Sequence, residues 1–252
     1  MNIKWNAKDY TDNFAFVHQY GEDVVALVDA EPGSYVVDLG CGNGALTEKL
    51  KERGYRVLGV DASADMLETA GKLHPDIDFL KADATEFVLD EKADVIFSNA
   101  VFHWINADMQ EKLIENVSAQ LKIGGQLVCE FGGNGCAESV HESLSRGFAK
   151  RGLSYVKEFY FPTIGEYAPI LEKFGFRVEY AVLFDRPTVQ KTENGLEDWI
   201  RMFNKKPFEG MEPELMQEII DETVEDLREK LYVNGKWIVD YVRIRFKVRK
   251  VR

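Results

Sequence analysis

Apolar, β-branched runs alternate with helix-period stretches along the first two-thirds of the chain. Tyr35 to Leu39, Arg56 to Val60, Ile77 to Lys81, Ala93 to Ser98 and Gln126 to Phe131 each read as a short buried strand. Between them, Ala45 to Arg53 and Ser63 to Leu73 read as helices. Ser63 is the expected N-cap of the second, and Pro75 closes that unit. Asp108 to Leu121 carries Met109, Leu113, Val117 and Leu121 four apart on one helical face, and Gly124-Gly125 turns the chain into the fifth strand. This strand–helix–strand rhythm predicts an α/β fold with a parallel sheet covered on both faces.

After Phe131 the texture changes. Gly132 to Gly135 is a flexible turn, and helices are expected over Glu138 to Lys150, Ile164 to Phe174, Leu196 to Phe203 and Pro213 to Leu231. Phe176 to Phe184 is strand-like. In the last strand, Trp237 to Val251, Val242, Ile244, Phe246 and Val248 alternate with Arg243, Arg245, Lys247 and Arg249. Strict alternation predicts a half-buried antiparallel strand, here placed on a sheet edge with its basic chains in water. The acidic helix from Pro213 reads as a solvated face, and the helix carrying His141 as surface-like. The expected organisation is one domain over 1–252. N-terminal lid helices fill 1–34, a ligand-binding half 35–131, and a second half 132–252 with a helical insertion at about 190–232.

Charge and cysteine usage narrow the function classes. The chain has 252 residues and a formal net charge of −12. Phosphate binding needs positive potential, so nucleic acid is not an expected partner. No uncharged apolar window is long enough to span a membrane. Met1 to Asn13 has no apolar core segment of the signal-peptide kind. The three cysteines, Cys41, Cys129 and Cys136, are never spaced C-x-x-C. That fits a cytoplasmic setting and gives no metal framework.

The chemistry sits in Val36-Val37-Asp38-Leu39-Gly40-Cys41-Gly42-Asn43-Gly44. A buried strand runs into closely spaced glycines and then into a helix whose N-terminus offers free N–H groups. Asp61 ends the next strand about twenty residues on, where an acid accepts from ribose hydroxyls. Together these predict an adenosine-containing ligand across the ends of the first two strands. Gly40-x-Gly42-x-x-Ala45 also satisfies a dinucleotide fingerprint, so an NAD(P)-dependent oxidoreductase is one reading. Asp38 favours another. A carboxylate there is poorly placed beside a pyrophosphate and well placed for the ammonium of a methionine moiety.

Val36 to Gly44 resembles the first motif of class I S-adenosylmethionine-dependent methyltransferases. Val60-Asp61-Ala62-Ser63 with Met66 resembles their second, Ala82-Asp83-Ala84 their third, Phe97-Ser98-Asn99-Ala100 with His103-Trp104 their fourth, and Leu121 to Gly125 the turn before the fifth strand. Within that family the stretch Phe97 to Trp104, Glu130-Phe131-Gly132-Gly133 and the Trp5/Tyr10/Phe14 opening are similar to the trans-aconitate methyltransferase-like subgroup. Asn43 and Ile123 stand where that subgroup commonly has Thr and Pro. The resemblance implies a Rossmann-like, doubly wound, mostly parallel seven-stranded sheet with an antiparallel C-terminal strand and added helices over the active site. It implies S-adenosyl-L-methionine as cofactor and S-adenosyl-L-homocysteine as product. Asp38, Gly40, Cys41, Gly42, Asp61, Ala62, Met66, Asp83, Ala84 and Asn99 would hold the cofactor. A relative that binds the cofactor without turnover is a further alternative.

The implied acceptor is a small molecule, methylated on a carboxylate or hydroxyl oxygen by a monomer or homodimer. A carboxylate needs no base at neutral pH, whereas a hydroxyl does. His103, just past the fourth strand, is the candidate base. His74 lies in a loop. Tyr10, Phe14 and Trp104 are candidate acceptor contacts, with Trp5, Phe16, Phe159 to Phe161, Trp199, Met202 and Phe203 as further aromatic wall. Arg146, Arg186, Arg201 and Arg243 are candidates for a carboxylate, Arg201 being assigned to the acceptor.

Overall fold

The structure is a computed structural model that describes residues 16–192 and 194–252, with side chains from Gly21 onward. Tyr10, Phe14 and the rest of the expected N-terminal lid lie outside the described residues. In chain order the elements are α1 (Phe16–Val25), β1 (Tyr35–Leu39), α2 (Ala45–Glu52), β2 (Arg56–Asp61), α3 (Ala64–Leu73), β3 (Asp78–Lys81), β4 (Ala93–Asn99) and α4 (Gln110–Gln120). Then follow β5 (Leu121–Gly132), α5 (Glu138–Ala149), α6 (Ile164–Lys173), β6 (Phe176–Val189), α7 (Gly195–Phe203), α8 (Pro213–Leu231), β7 (Tyr232–Val233) and β8 (Lys236–Lys250). No helix among the described residues is long and apolar enough to cross a membrane.

The sheet runs β3-β2-β1-β4-β5-β8-β6, with the two-residue β7 paired only to β8. The first five strands are parallel, and β8 is antiparallel to both its neighbours. Strand order reverses between β1 and β4, which opens a crevice at their carboxyl ends. Side-chain parity builds the two faces. Val36, Val95, Phe97 and Val128 pack with α1 and α2 residues such as Val24, Leu46 and Leu50. Val37, Ile96, Leu127 and Cys129 pack on the other face with Leu113, Val117, Tyr167 and Leu171 of α4 and α6. Ser63 caps α3 as expected, its hydroxyl accepting from the Met66 N–H at 3.3 Å.

A second core lies over the far end of β8. There Val140, Leu144 and Phe148 of α5, Trp199 and Ile200 of α7, and Ile219 and Leu227 of α8 bury against Trp237, Val239 and Tyr241. The same strand feeds the main core through Ile244, Phe246 and Val248. Its apolar positions are thus odd before residue 242 and even after it. Helix α5 is not surface-like: His141 is buried in this second core.

The edge-strand expectation for β8 is overturned. The strand lies inside the sheet, hydrogen-bonded to β5 on one side and β6 on the other. Several of its bases meet partners rather than open water. Arg249 Nε donates to Glu179 at 2.8 Å, and Lys250 Nζ donates at 2.6 Å to the Ser118 carbonyl near the end of α4. Arg245 Nε donates at 2.7 Å to Glu130, a buried residue of β5. Arg186 of β6 also grips Glu130, its Nη2 donating at 3.1 Å. Alternation reports two faces and is blind to lateral neighbours, so an inner strand with paired bases reads like an edge. Glu130→Ala strands two largely buried guanidinium groups. It should cost about 3–5 kcal/mol, read as a lower urea midpoint at unchanged slope; a midpoint equal to wild type would refute the clamp.

Candidate active site

β1 to β4 end side by side on one edge of the sheet, where the predicted motif residues converge. β1 stops at Leu39, and Gly40 turns the chain with φ +80° while its N–H donates to the Val60 carbonyl at 2.7 Å. A Cβ on Gly40 would stand 2.2 Å from Cγ2 of Val101, so only glycine fits. Gly42, at φ +56°, differs: a Cβ there would meet nothing within 4 Å, which leaves a concavity above bare backbone. α2 then begins at Ala45 with its N-terminus toward this loop.

Three carboxylates lie at this end of the sheet. Asp61 ends β2, its two oxygens accepting from the N–H groups of Gly42 at 2.9 Å and Ser63 at 2.8 Å. Burial raises its pKa, and those backbone donors oppose the rise. Asp83 is partly buried, yet the N–H and hydroxyl of Thr85, both at 2.8 Å, help hold it below the usual carboxylate range. Asp38 is the most perturbed. Burial pushes it up to about 7, against the 2.6 Å hydrogen bond from the Thr47 hydroxyl and with a small addition from Asp61. No cation among the described residues pairs with it. Met66 is buried at the first turn of α3, Ala62 and Ala84 follow the ends of β2 and β3, and Asn99 closes β4. Cys41 is buried under the loop, and burial raises its thiol pKa far out of the reactive range.

Beyond β4 the backbone is strained. Ala100 takes φ +60°, with its N–H donating to the Glu130 carbonyl at 2.7 Å. A single 3₁₀ turn, Phe102–Trp104, follows. Gln110 braces it by donating to the carbonyls of Phe102 at 2.9 Å and Ile105 at 2.7 Å, and Tyr167 braces Gln110. This turn projects His103 and Trp104 into a recess of about 480 Å³, its open mouth included. Phe159, Phe161, Trp199, Phe203 and Tyr241 form its aromatic wall, with Ala100, Cys136, Ala137 and Arg243 completing it. Ala137 is a second alanine in the left-handed region, at φ +52°.

The protonation of His103 is fixed by its surroundings. Burial, and then the Arg243 cation, hold its pKa well below the ordinary value, so the ring is neutral. The Gly132 N–H donates to Nδ1 at 3.1 Å, which leaves the ring's proton on Nε2. The expected base therefore has its lone pair occupied and offers an N–H. His141 has the opposite tautomer. Tyr155 donates to Asn204 at 2.8 Å, so His141 Nδ1 donates to the Tyr155 oxygen at 2.7 Å. Its Nε2 is buried without a partner, behind the rings of Phe159, Phe161 and Trp199. Burial, aided by Lys157, takes this imidazole down to about 3, too weak for a base at neutral pH.

The candidate arginines separate cleanly. Arg146 pairs with Asp226 at 2.6 Å, and Arg186 with Glu130. Arg201, assigned to the acceptor from sequence, is not among the recess residues. Its Nε donates at 2.9 Å to Glu197 one helical turn back, and the group also reaches Gln217. Only Arg243 of the four lines the recess. The parity switch of β8, from Tyr241 to Ile244, marks where the two cores meet, and Arg243 is the first base at that switch. That pattern was the available signal for it.

Comparison with known proteins agrees with this geometry. Residues 36–125 match the Methyltransferase domain family. An uncharacterized methyltransferase of Schizosaccharomyces pombe is 32% identical over 98% of both chains. The chain is an S-adenosylmethionine-dependent methyltransferase. The trans-aconitate 2-methyltransferase of Agrobacterium fabrum is 28% identical over 82% of each chain. A TehB-like S-adenosylmethionine-dependent methyltransferase from Corynebacterium glutamicum shares the fold, with a TM-score of 0.56 at 19% identity over 97% of both chains. The methyltransferase's own residues fit its cofactor. The concavity over Gly42, the acids closing β2 and following β3, and Asp38, buried and without a cation among the described residues, would give that cofactor a cradle, hydroxyl acceptors and a partner for a positive group.

The two glycines give contrasting expectations. Gly40→Ala should lose about 2–4 kcal/mol from the clash with Val101 and the left-handed backbone. Gly42→Ala carries only the backbone cost, about 1–2 kcal/mol. Urea midpoints check this, and equal midpoints for both variants would sink the assignment.

Proposed function

We propose that the enzyme methylates an oxygen of a small-molecule acceptor, and that this oxygen belongs to a carboxylate. The observation that carries this reading is the absence of a usable imidazole or thiolate base among the described residues of the recess. His103 presents N–H, and the Cys136 thiol is pushed up by burial. A hydroxyl acceptor needs a base to take its proton. An ionised carboxylate attacks the methyl carbon with its own lone pair. The electron pair of the broken S–C bond stays on sulfur, and no proton has to leave. Trans-aconitate methyltransferases among the relatives support a carboxylate acceptor.

Bound S-adenosylmethionine supplies a methyl group on a sulfonium already activated for displacement. The chain's work is then to bind, orient and exclude water. Asp38 would hold the cationic methionine end, Asp61 the ribose, and Asp83 the adenine side, with Cys41, Ala62, Met66, Ala84 and Asn99 lining the cradle. His103 and Trp104 would border the acceptor.

Two measurements test the reading. The free enzyme's Asp38 is protonated below about pH 7, and a cationic ligand selects the ionised form. Affinity for S-adenosylhomocysteine, whose ammonium remains, should therefore rise about tenfold from pH 6 to pH 8. The rise should vanish in Asp38→Asn, as titration calorimetry would report. With cofactor saturating, kcat on a carboxylic acid should stay within about twofold over the same range, because no base titrates. A kcat that climbs in proportion to hydroxide would mean that an acceptor proton is being removed, against a carboxylate.

A further inference from the structure

Arg243 is 8% exposed, lines the aromatic recess, and has neither a carboxylate nor a carbonyl on its guanidinium among the described residues. Its one described contact is with the Tyr241 ring, 4.7 Å from the centroid. The neighbouring bases of β8 are all satisfied: Arg245 by Glu130, Lys247 by Asp29, Arg249 by Glu179. A buried guanidinium left without an anion is costly, and a ligand anion relieves that cost. His103 lines the same space, and with its proton on Nε2 it is also a donor. Both groups call for an acceptor that is anionic at one end.

The rest of the wall sets the other end. Trp104, Phe159, Phe161, Trp199 and Phe203 offer rings, and no further cation lines the recess among the described residues. Lys157 approaches the Phe161 ring, but its charge is met by Glu138 at 3.2 Å. One unpaired cation suits one carboxylate, and additional carboxylates would enter an apolar wall unpaired.

Resting on the carboxylate reading above, we infer that the acceptor is a monocarboxylic acid with an apolar or aromatic body, gripped by Arg243 and His103 and stacked among these rings. A polycarboxylate such as trans-aconitate is disfavoured. Methylation turns the bound anion into a neutral ester, so the product no longer answers the Arg243 charge and leaves.

The test uses 3-phenylpropanoate, 3-phenylpropanol and trans-aconitate with methyl-tritiated cofactor, read as methanol released by alkali and as total organic-extractable label. Binding is read in parallel by tryptophan fluorescence with S-adenosylhomocysteine saturating. The expected result is that 3-phenylpropanoate binds and is labelled at least tenfold better than trans-aconitate, as an alkali-labile ester. Arg243→Met should raise KM for it at least thirtyfold with kcat changed less than fivefold. S-adenosylhomocysteine affinity should hold within twofold, and Arg243→Lys should recover part of the loss. Preference for trans-aconitate, or KM unchanged in Arg243→Met, overturns this inference and leaves the carboxylate reading standing. Labelling of the alcohol alone, in alkali-stable form, overturns both. No fluorescence change with 3-phenylpropanoate up to 10 mM overturns the inference even without turnover.

Discussion

Glu130 of β5 receives the side chains of Arg186 from β6 and Arg245 from β8, and its carbonyl receives the N–H of Ala100 from beyond β4. Four segments distant in sequence are tied at one buried residue. Two residues further along β5, Gly132 sets the tautomer of His103. Two residues before Arg245 on the same face of β8, Arg243 enters the recess. The placement of Arg243 would not hold if β8 slid against β5, because a register slip moves every side chain to the other face. The clamp touches no reacting atom, and yet the acceptor side of the molecule hangs on it.

The edge of the sheet is electrically divided. Asp38 lies within β1, Asp61 closes β2 and Asp83 follows β3, while Arg243 stands three strands from β1, on β8. Asp38 and Arg243 are both buried ionisable groups with no opposite charge beside them among the described residues. Left-handed Ala100 and Ala137 lie between and beside them. Unpaired charge and strained backbone both cost stability, and both are kept where ligands meet. On the carboxylate reading proposed above, the free protein carries these costs where two ligands of opposite charge would meet.

Local signals account for what was legible in the sequence. The glycine loop, the acids at the ends of β1 and β2 and the Ser63 cap are set by neighbours a few residues away, and they occur as read. The position of β8 was not legible, because pairing between residues as far apart as Glu130 and Arg245, 115 apart in the chain, leaves no local mark. Arg201 and His141 were misplaced for a related reason. Helical period tells which residues share a face, and it is silent on whether that face meets a ligand, another helix or water. The donor state of His103 depends on a backbone N–H 29 residues away, beyond any motif.

The insertion of β8 between β5 and β6 also orders events in time. A ribosome delivers β1 to β6 before the strand that joins the last two. Until residues 236–250 are made, β5 has its outer row of N–H and C=O groups unpaired, and β6 has no partner at all. Unpaired edges are templates for other chains. Before that strand is made, the outer side of β5 and both sides of β6 are open to other chains. The last strand both silences that edge and completes the recess, so escape from aggregation and competence for the acceptor arrive in the same step.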